Sequence, residues 1–162
     1  MSRLESFIRR LEAQRACLDL AARLIAALPG NVLEFGLGNG RTYDHLRSLF
    51  SGRDIFVFDR QVAAHPDCIP PADRLFVGDF IDTLPRAATQ LGANSALAHL
   101  DVGSGDAAAS RSLASAMMPH VLRLLKTGAL VVSDQPIIDP GLESMALPAG
   151  IEADRYYLSR RL

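Results

Sequence analysis

Five short apolar runs alternate with helical patterns along this chain, and an acidic residue closes or follows each run. The runs are Asn31–Phe35, Asp54–Asp59, Arg74–Val77, Ala96–Val102 and Ala129–Ser133, and the acids are Glu34, Asp59, Asp79, Asp101 and Asp134. The intervening segments Thr42–Phe50, Phe80–Leu91 and Ala107–Leu125 repeat apolar residues at helical spacing. Strands that alternate with helices predict parallel β-α-β units, hence an α/β fold with a doubly wound, mostly parallel sheet. Ligands in such sheets bind beyond the carboxyl ends of the strands, near the point where strand order reverses. One acid at a strand end is unremarkable, but five at the edge that holds the ligand form a pattern.

At the N-terminus Leu4, Phe7, Ile8, Leu11, Cys17, Leu18, Ala21, Leu24, Ile25 and Leu28 recur at helical spacing, and Pro29-Gly30 closes the segment. Residues 1–28 therefore read as a helix covering the sheet. Residues 31–134 form the strand-helix core, and 135–162 are short strands and loops closing with Arg155–Ser159. With 162 residues, 49% of them apolar and 22% charged, the chain suits one domain with its own core.

The first strand runs into Glu34-Phe35-Gly36-Leu37-Gly38-Asn39-Gly40. Alternating glycines let the backbone bend sharply and approach a ligand closely. A dinucleotide fingerprint needs its third glycine where Arg41 stands, and a P-loop needs Gly-Lys-Ser/Thr where this chain has Gly40-Arg41-Thr42. Neither phosphate site is built. The carboxylate before the bend favours a ligand that carries positive charge or donates hydrogen bonds.

These residues resemble the class I S-adenosylmethionine-dependent methyltransferases. VLEFGLGNG is similar to their first motif, and IFVFDR, ending in Asp59-Arg60, to the acidic end of their second strand. LFVGDF, with Gly78, Asp79 and Phe80, is similar to the turn that contacts adenine; LAHLDVG and LKTGALVVSD correspond to the fourth and fifth strands. The resemblance runs from about residue 31 to 134. It implies a Rossmann-like methyltransferase fold with S-adenosyl-L-methionine as cofactor, held by Glu34, Phe35, Gly36, Leu37, Gly38, Asn39, Gly40, Asp59, Arg60, Gly78, Asp79, Phe80 and Asp101. Glu34 is expected to balance the cofactor's ammonium, directly or through water. Asp59 is expected to accept both ribose hydroxyls, and Asp79 the adenine amino group, with Phe80 beside the ring. Asp59 and Asp79 also suit the capping of the segments that follow them.

Asp101 is the candidate catalytic residue, as substrate holder, base or metal ligand. In the catechol-type O-methyltransferase branch a metal is held by an acid after the fourth strand and an Asp-Asn pair after the fifth. Asp101 with Asp134-Gln135 imitates that set in part, but the branch's usual lysine has no counterpart, so no metal is expected. His99, inside a strand, reads as a core group rather than a base. Family members usually carry a helix and two antiparallel strands after the fifth strand; 28 residues follow Asp134 here, a shortened C-terminal region.

A net charge of −1, with arginines scattered, predicts no nucleic-acid partner. The absence of a signal-like N-terminus or a long apolar run predicts a cytoplasmic protein without a membrane partner. Cys17 and Cys68 have no metal or redox spacing. The expected function is methyl transfer from S-adenosylmethionine to a small molecule, with a second subunit of a homo-oligomer as one way to complete the acceptor pocket. Two alternatives stay open: an NAD-dependent oxidoreductase, and a catalytically silent cofactor-binding or scaffold protein.

Overall fold

The computed structural model describes residues 1–162. Helix α1 spans Arg3–Leu24, and its start is a reciprocal cap: the Glu5 N–H donates to Ser2 Oγ at 3.1 Å and the Ser2 N–H to Glu5 Oε2 at 2.6 Å. There follow β1 (Asn31–Phe35), α2 (Arg41–Leu49), β2 (Ile55–Asp59), β3 (Leu75–Val77), α3 (Phe80–Leu91), β4 (Ser95–Leu100), α4 (Ala107–Leu122), β5 (Leu125–Ser133), β6 (Leu142–Ser144) and β7 (Tyr157–Arg161). Seven strands form one sheet in the order β3-β2-β1-β4-β5-β7-β6. The first five are parallel, and β7 runs antiparallel to both β5 and β6. The order reverses between β1 and β4, the switch point of a doubly wound sheet.

Several boundaries depart from the sequence reading, β4 ending at Leu100 rather than Val102 and α4 at Leu122 rather than Leu125 among them. β5 begins at Leu125, not Ala129, because Ser95 pairs with Leu125 ahead of a register shift. The last strand begins at Tyr157 rather than Arg155, after a turn in which Asp154 takes a positive φ of 65°. β6 went unread, since three partly exposed residues carry no detectable alternation.

The sheet separates two cores. On one face α1 and α2 pack on Val32, Val57, Leu97, Leu130 and Val132. On the other α3 and α4 pack on Leu33, Phe35, Phe58, Ala98, Leu100 and Val131. The odd and even positions of one strand thus serve opposite cores, which is why the central strands read as largely apolar runs. Phe35, Phe58 and Phe76 form a row across β1, β2 and β3, with ring centroids 4.5 and 4.7 Å apart. Two polar residues interrupt the α1 side, Glu34 and His99, and they are register partners on β1 and β4. No helix is long and apolar enough to cross a membrane.

Candidate active site

A cleft of about 580 Å³ opens at the carboxyl ends of β1 and β4. Its floor is the turn after β1. Gly36, Gly38 and Gly40 have φ of 95°, 51° and 88°. A Cβ on Gly36 would stand 2.2 Å from the Asp101 carbonyl oxygen, so only glycine lets β1 and β4 run this close at their ends. A Cβ on Gly38 would meet nothing within 4 Å, leaving that backbone open to the cleft.

Asp59, ending β2, braces the turn. Its Oδ2 accepts from the Leu37 N–H at 2.8 Å and the Gly38 N–H at 3.1 Å. Oδ2 is thus already engaged by two backbone donors, and Oδ1 is the more open of the two carboxylate oxygens. The Oδ2 contacts also give those two donors of the turn a partner that a phosphate would have to displace. Asp79 is the N-cap of α3, with Oδ1 accepting from the Ile81 N–H at 3.0 Å; its Oδ2 lies 3.9 Å from Arg60 Nε.

Gly36, Leu37, Gly38, Asn39, Asp59, Arg60, Phe80 and Asp101 line the cleft. Glu34, Phe35, Gly40, Gly78 and Asp79 do not. Phe35 turns into the α3/α4 core, as strand alternation requires of a residue following Glu34. The Gly40 Cα faces Cys68, whose Cβ would lie 2.4 Å from an added Cβ.

Glu34 is fully buried on the α1 side. Its Oε2 lies 2.5 Å from His99 Nδ1, and its Oε1 has no hydrogen-bond partner. His99 Nε2 is 2.7 Å from the Tyr156 hydroxyl, and Gln14 Nε2 donates to Tyr156 Oη at 2.9 Å and to Asp101 Oδ2 at 3.1 Å. A buried polar row therefore runs from beneath the glycine turn to the acid at the cleft wall. Burial pushes the Glu34 carboxyl up to about 7, against the opposing charge and hydrogen bond of His99. Burial by itself would lower His99, but the charge and hydrogen bond of Glu34, aided by Asp101 and Asp134, hold it above its ordinary value. Arg10, one α1 turn before Gln14, forms an ion pair with the same Asp101.

Sequence reasoning missed Phe7, Arg10, Leu11 and Gln14 of α1 as cleft residues. Their spacing, one helical stripe, is visible in the chain, but nothing local says that this stripe faces a site rather than core. Tyr156 is wholly buried, its ring stacked against His99.

Asp134 accepts from the Gly103 N–H at 2.8 Å and the Val102 N–H at 3.3 Å, and Gln135 Nε2 donates to it at 3.2 Å. Burial, then the nearby Asp101 charge, raises its pKa. Asp101 and Asp134 are thus engaged separately, and no three His, Cys, Asp or Glu side chains gather where a metal ion could sit.

A family profile described as S-adenosyl-L-methionine methyltransferase matches residues 1–161. A crystal structure of an S-adenosyl-L-methionine methyl transferase from Silicibacter pomeroyi DSS-3 is 42% identical, with a TM-score of 0.95 over 100% of this chain and 99% of that one. Human methyltransferase-like protein 13 in complex with SAH is 17% identical, with a TM-score of 0.62 over 92% of this chain and 81% of that one. The 16S rRNA (adenine(1408)-N(1))-methyltransferase W203A mutant from Catenulisporales acidiphilia, with cosubstrate SAM, is 13% identical, with a TM-score of 0.51 over 89% and 90%. At such identities the last two show the shared fold alone. No curated protein sequence matches this chain.

Proposed function

The chain belongs to the S-adenosyl-L-methionine methyltransferase family, and from that premise we propose that it methylates a small-molecule acceptor held beside Asp101. The observation that carries this reading is the Asp59-braced glycine turn at the switch point, a cradle without phosphate-binding features.

The residues present fit the cofactor. Glu34 Oε1 is a buried acceptor with no partner, so a donor or a bridging water above it would complete its hydrogen bonding. The open face of Gly38 admits close approach of a ligand, and Asp59 Oδ1 has only a long 3.3 Å contact from the Gln61 N–H, leaving it able to accept from ribose. Phe80 presents an apolar wall and Arg60 a planar guanidinium beside it, suited to the adenine ring. Engagement of the Leu37 and Gly38 N–H groups by Asp59 argues against a nicotinamide dinucleotide, whose pyrophosphate would face a carboxylate there.

The cofactor supplies a sulfonium-activated methyl group, and the protein's work is to position the acceptor and exclude water. Asp101 stands where β4 ends, beside the cleft. Its carboxylate, held by Arg10 and Gln14, orients an acceptor hydroxyl or amine and takes its proton where the acceptor is protonated.

Calorimetry with S-adenosylmethionine, SAH and NAD⁺ tests the cofactor; NAD⁺ binding without SAH binding overturns the reading. Release of SAH from a panel of small acceptors, set against bulk RNA, tests the acceptor class, and turnover confined to RNA refutes a small molecule. Asp59→Ala should weaken SAH binding by about 1–3 kcal/mol, roughly 5- to 150-fold, through the lost ribose bond and a slack turn. An unaltered dissociation constant would remove Asp59 from the site. Asp101→Asn should lower turnover about tenfold or more while SAH affinity changes less. Wild-type rates would deny Asp101 a role in transfer.

A further inference from the structure

Tyr156 directly precedes β7 and is wholly buried, its ring stacked on His99 with centroids 5.8 Å apart. Its hydroxyl meets two polar side chains: His99 Nε2 lies 2.7 Å from Oη, and Gln14 Nε2 lies 2.9 Å from it. Each of these touches an acid. His99 Nδ1 is 2.5 Å from Glu34 Oε2, and Gln14 Nε2 is 3.1 Å from Asp101 Oδ2. Tyr156 is therefore the centre of the row that joins the acid under the glycine turn to the acid at the cleft wall.

The donors and acceptors of this row fit together in one direction. Asp101 is paired with Arg10, and an ionised carboxylate only accepts, so Gln14 turns Nε2 rather than Oε1 toward Oδ2. That nitrogen carries a second proton, which goes to Tyr156 Oη; its approach to His99 Nε2, at 3.5 Å, is too long to compete. At the other end, above about pH 7 the Glu34 carboxyl is ionised and Oε2 accepts from His99 Nδ1–H. His99 Nε2 is then bare, and the Tyr156 O–H donates to it. Burial, with the charges of Asp101, Asp134 and Glu34 outweighing that of Arg10, holds the Tyr156 hydroxyl well above its ordinary pKa, so this donor keeps its proton. With its proton committed to His99, the hydroxyl can only accept from Gln14. A reversed amide would set Oε1 against the Oδ2 lone pairs.

We propose that Tyr156 is a positioning residue for methyl transfer: its hydroxyl, aimed by His99, locks the Gln14 amide so that Gln14 and Arg10 hold the two Asp101 oxygens in place for the acceptor. The inference rests on the methyl-transfer reading and adds to it a residue that lies outside the cleft wall. Arg10 on Oδ1 alone would leave the carboxylate free to turn about its Cβ–Cγ bond; the second anchor, on Oδ2, removes that freedom. A carboxylate held in this way meets the acceptor without reorganising.

The test uses the full chain with Tyr156→Phe, which keeps the buried ring and removes only the hydroxyl. SAH affinity is measured first, then turnover at saturating S-adenosylmethionine on the small acceptor from the panel that releases most SAH. Failure of either in the wild type strikes the methyl-transfer reading and not the row. Tyr156→Phe should lower kcat roughly tenfold, while the SAH dissociation constant and the KM for S-adenosylmethionine stay within about twofold. Gln14→Met, which keeps the side-chain length without the amide, should lower kcat as much, and the double variant should fall no further, because Tyr156 acts through Gln14. Tyr157→Phe, whose lost hydroxyl meets Asp154, should turn over like the wild type. In nitrogen-15 spectra of the SAH complex at pH 8, above the Glu34 value of about 7, His99 Nε2 should resonate as a bare nitrogen and Nδ1 as a protonated one. Tyr156→Phe should shift the Gln14 Nε2 protons in the same complex. A KM for S-adenosylmethionine that rises as kcat falls, additive losses in the double variant, or Gln14 amide signals indifferent to Tyr156→Phe overturn the proposal. The last does so with no acceptor in hand, and a wild-type His99 protonated at Nε2 at pH 8 does so even where the Tyr156 variant does not fold.

Discussion

Replacing His99 by alanine is expected to destabilise this protein by about 3–5 kcal/mol near neutral pH, the usual cost of removing one partner of a buried ion pair. Glu34 has no solvent exposure, and its Oε1 already lacks a partner. Without His99 its Oε2 loses its bond as well, leaving an uncompensated carboxylate under the glycine turn. The pH dependence carries the sign. Glu34 rises from 4.5 in the unfolded chain to about 7 in the native state, so over that interval the native protein retains a proton that the unfolded chain has lost. That contribution is fully present below pH 4.5 and fades as pH climbs through about 7; His99, also raised, acts in the same direction. In the alanine variant the imidazole no longer lowers Glu34, so its carboxyl moves higher still. The variant should recover much of its deficit at pH 5 and show the largest deficit at pH 8. Urea denaturation of both proteins at those two pH values measures this. An equal deficit at both would mean that lost packing, not a stranded charge, is the cause. His99→Gln, which keeps a donor toward Glu34, should fall between the two.

Gly36→Ala is expected to destabilise the fold by about 2–5 kcal/mol and to abolish measurable SAH binding. A φ of 95° lies outside the region open to side-chain-bearing residues, and that strain costs about 1–3 kcal/mol. The added Cβ also meets a backbone oxygen, Asp101 O at 2.2 Å, which no rotamer change can relieve. Relief must come from parting the ends of β1 and β4, where the Asp101 N–H donates to Phe35 O at 2.9 Å, while the Gly36 N–H ties the same turn to Phe58 O of β2 at 2.9 Å. Overpacking of this kind adds about 1–3 kcal/mol. Gly38→Ala is the control, because its φ of 51° is tolerated and nothing lies near its added Cβ. It should fold with a loss near 1 kcal/mol, yet bind SAH more weakly because the methyl group occupies the face open to the cleft. Thermal denaturation and calorimetry separate the two variants. If Gly36→Ala bound SAH like the wild type, the turn would not be the cofactor's cradle.

Family, fold class and position of the cleft were legible in the chain because each has a local cause. Parallel strands buried on both faces must be largely apolar, and Val32-Leu33 and Ile55–Phe58 show that plainly. Gly36, Gly38 and Gly40 advertise a backbone that needs positive φ. Asp59 and Asp101 stand at strand ends, which topology alone turns toward a ligand.

The partners of those residues could not be read in the same way. Glu34 precedes a glycine turn, and that position says nothing of its burial: the β1 pleat directs it under α1, where only the alignment of β1 with β4 supplies His99 as its neighbour. Gln14 and Arg10 lie some 90 residues before Asp101 in the chain and reach it only because α1 lies across the sheet. Asp59 shows its acidity in the sequence but not its grip on Leu37 and Gly38, which depends on β1 and β2 pairing in register. The amino-acid pattern by itself determined what is governed by the period of a strand, the freedom of a glycine and the apolar stripe of a helix. Tertiary structure alone decided which buried charge meets which partner, because hydrogen bonds reach only about 3 Å and chain neighbours cannot reveal what folding brings that close.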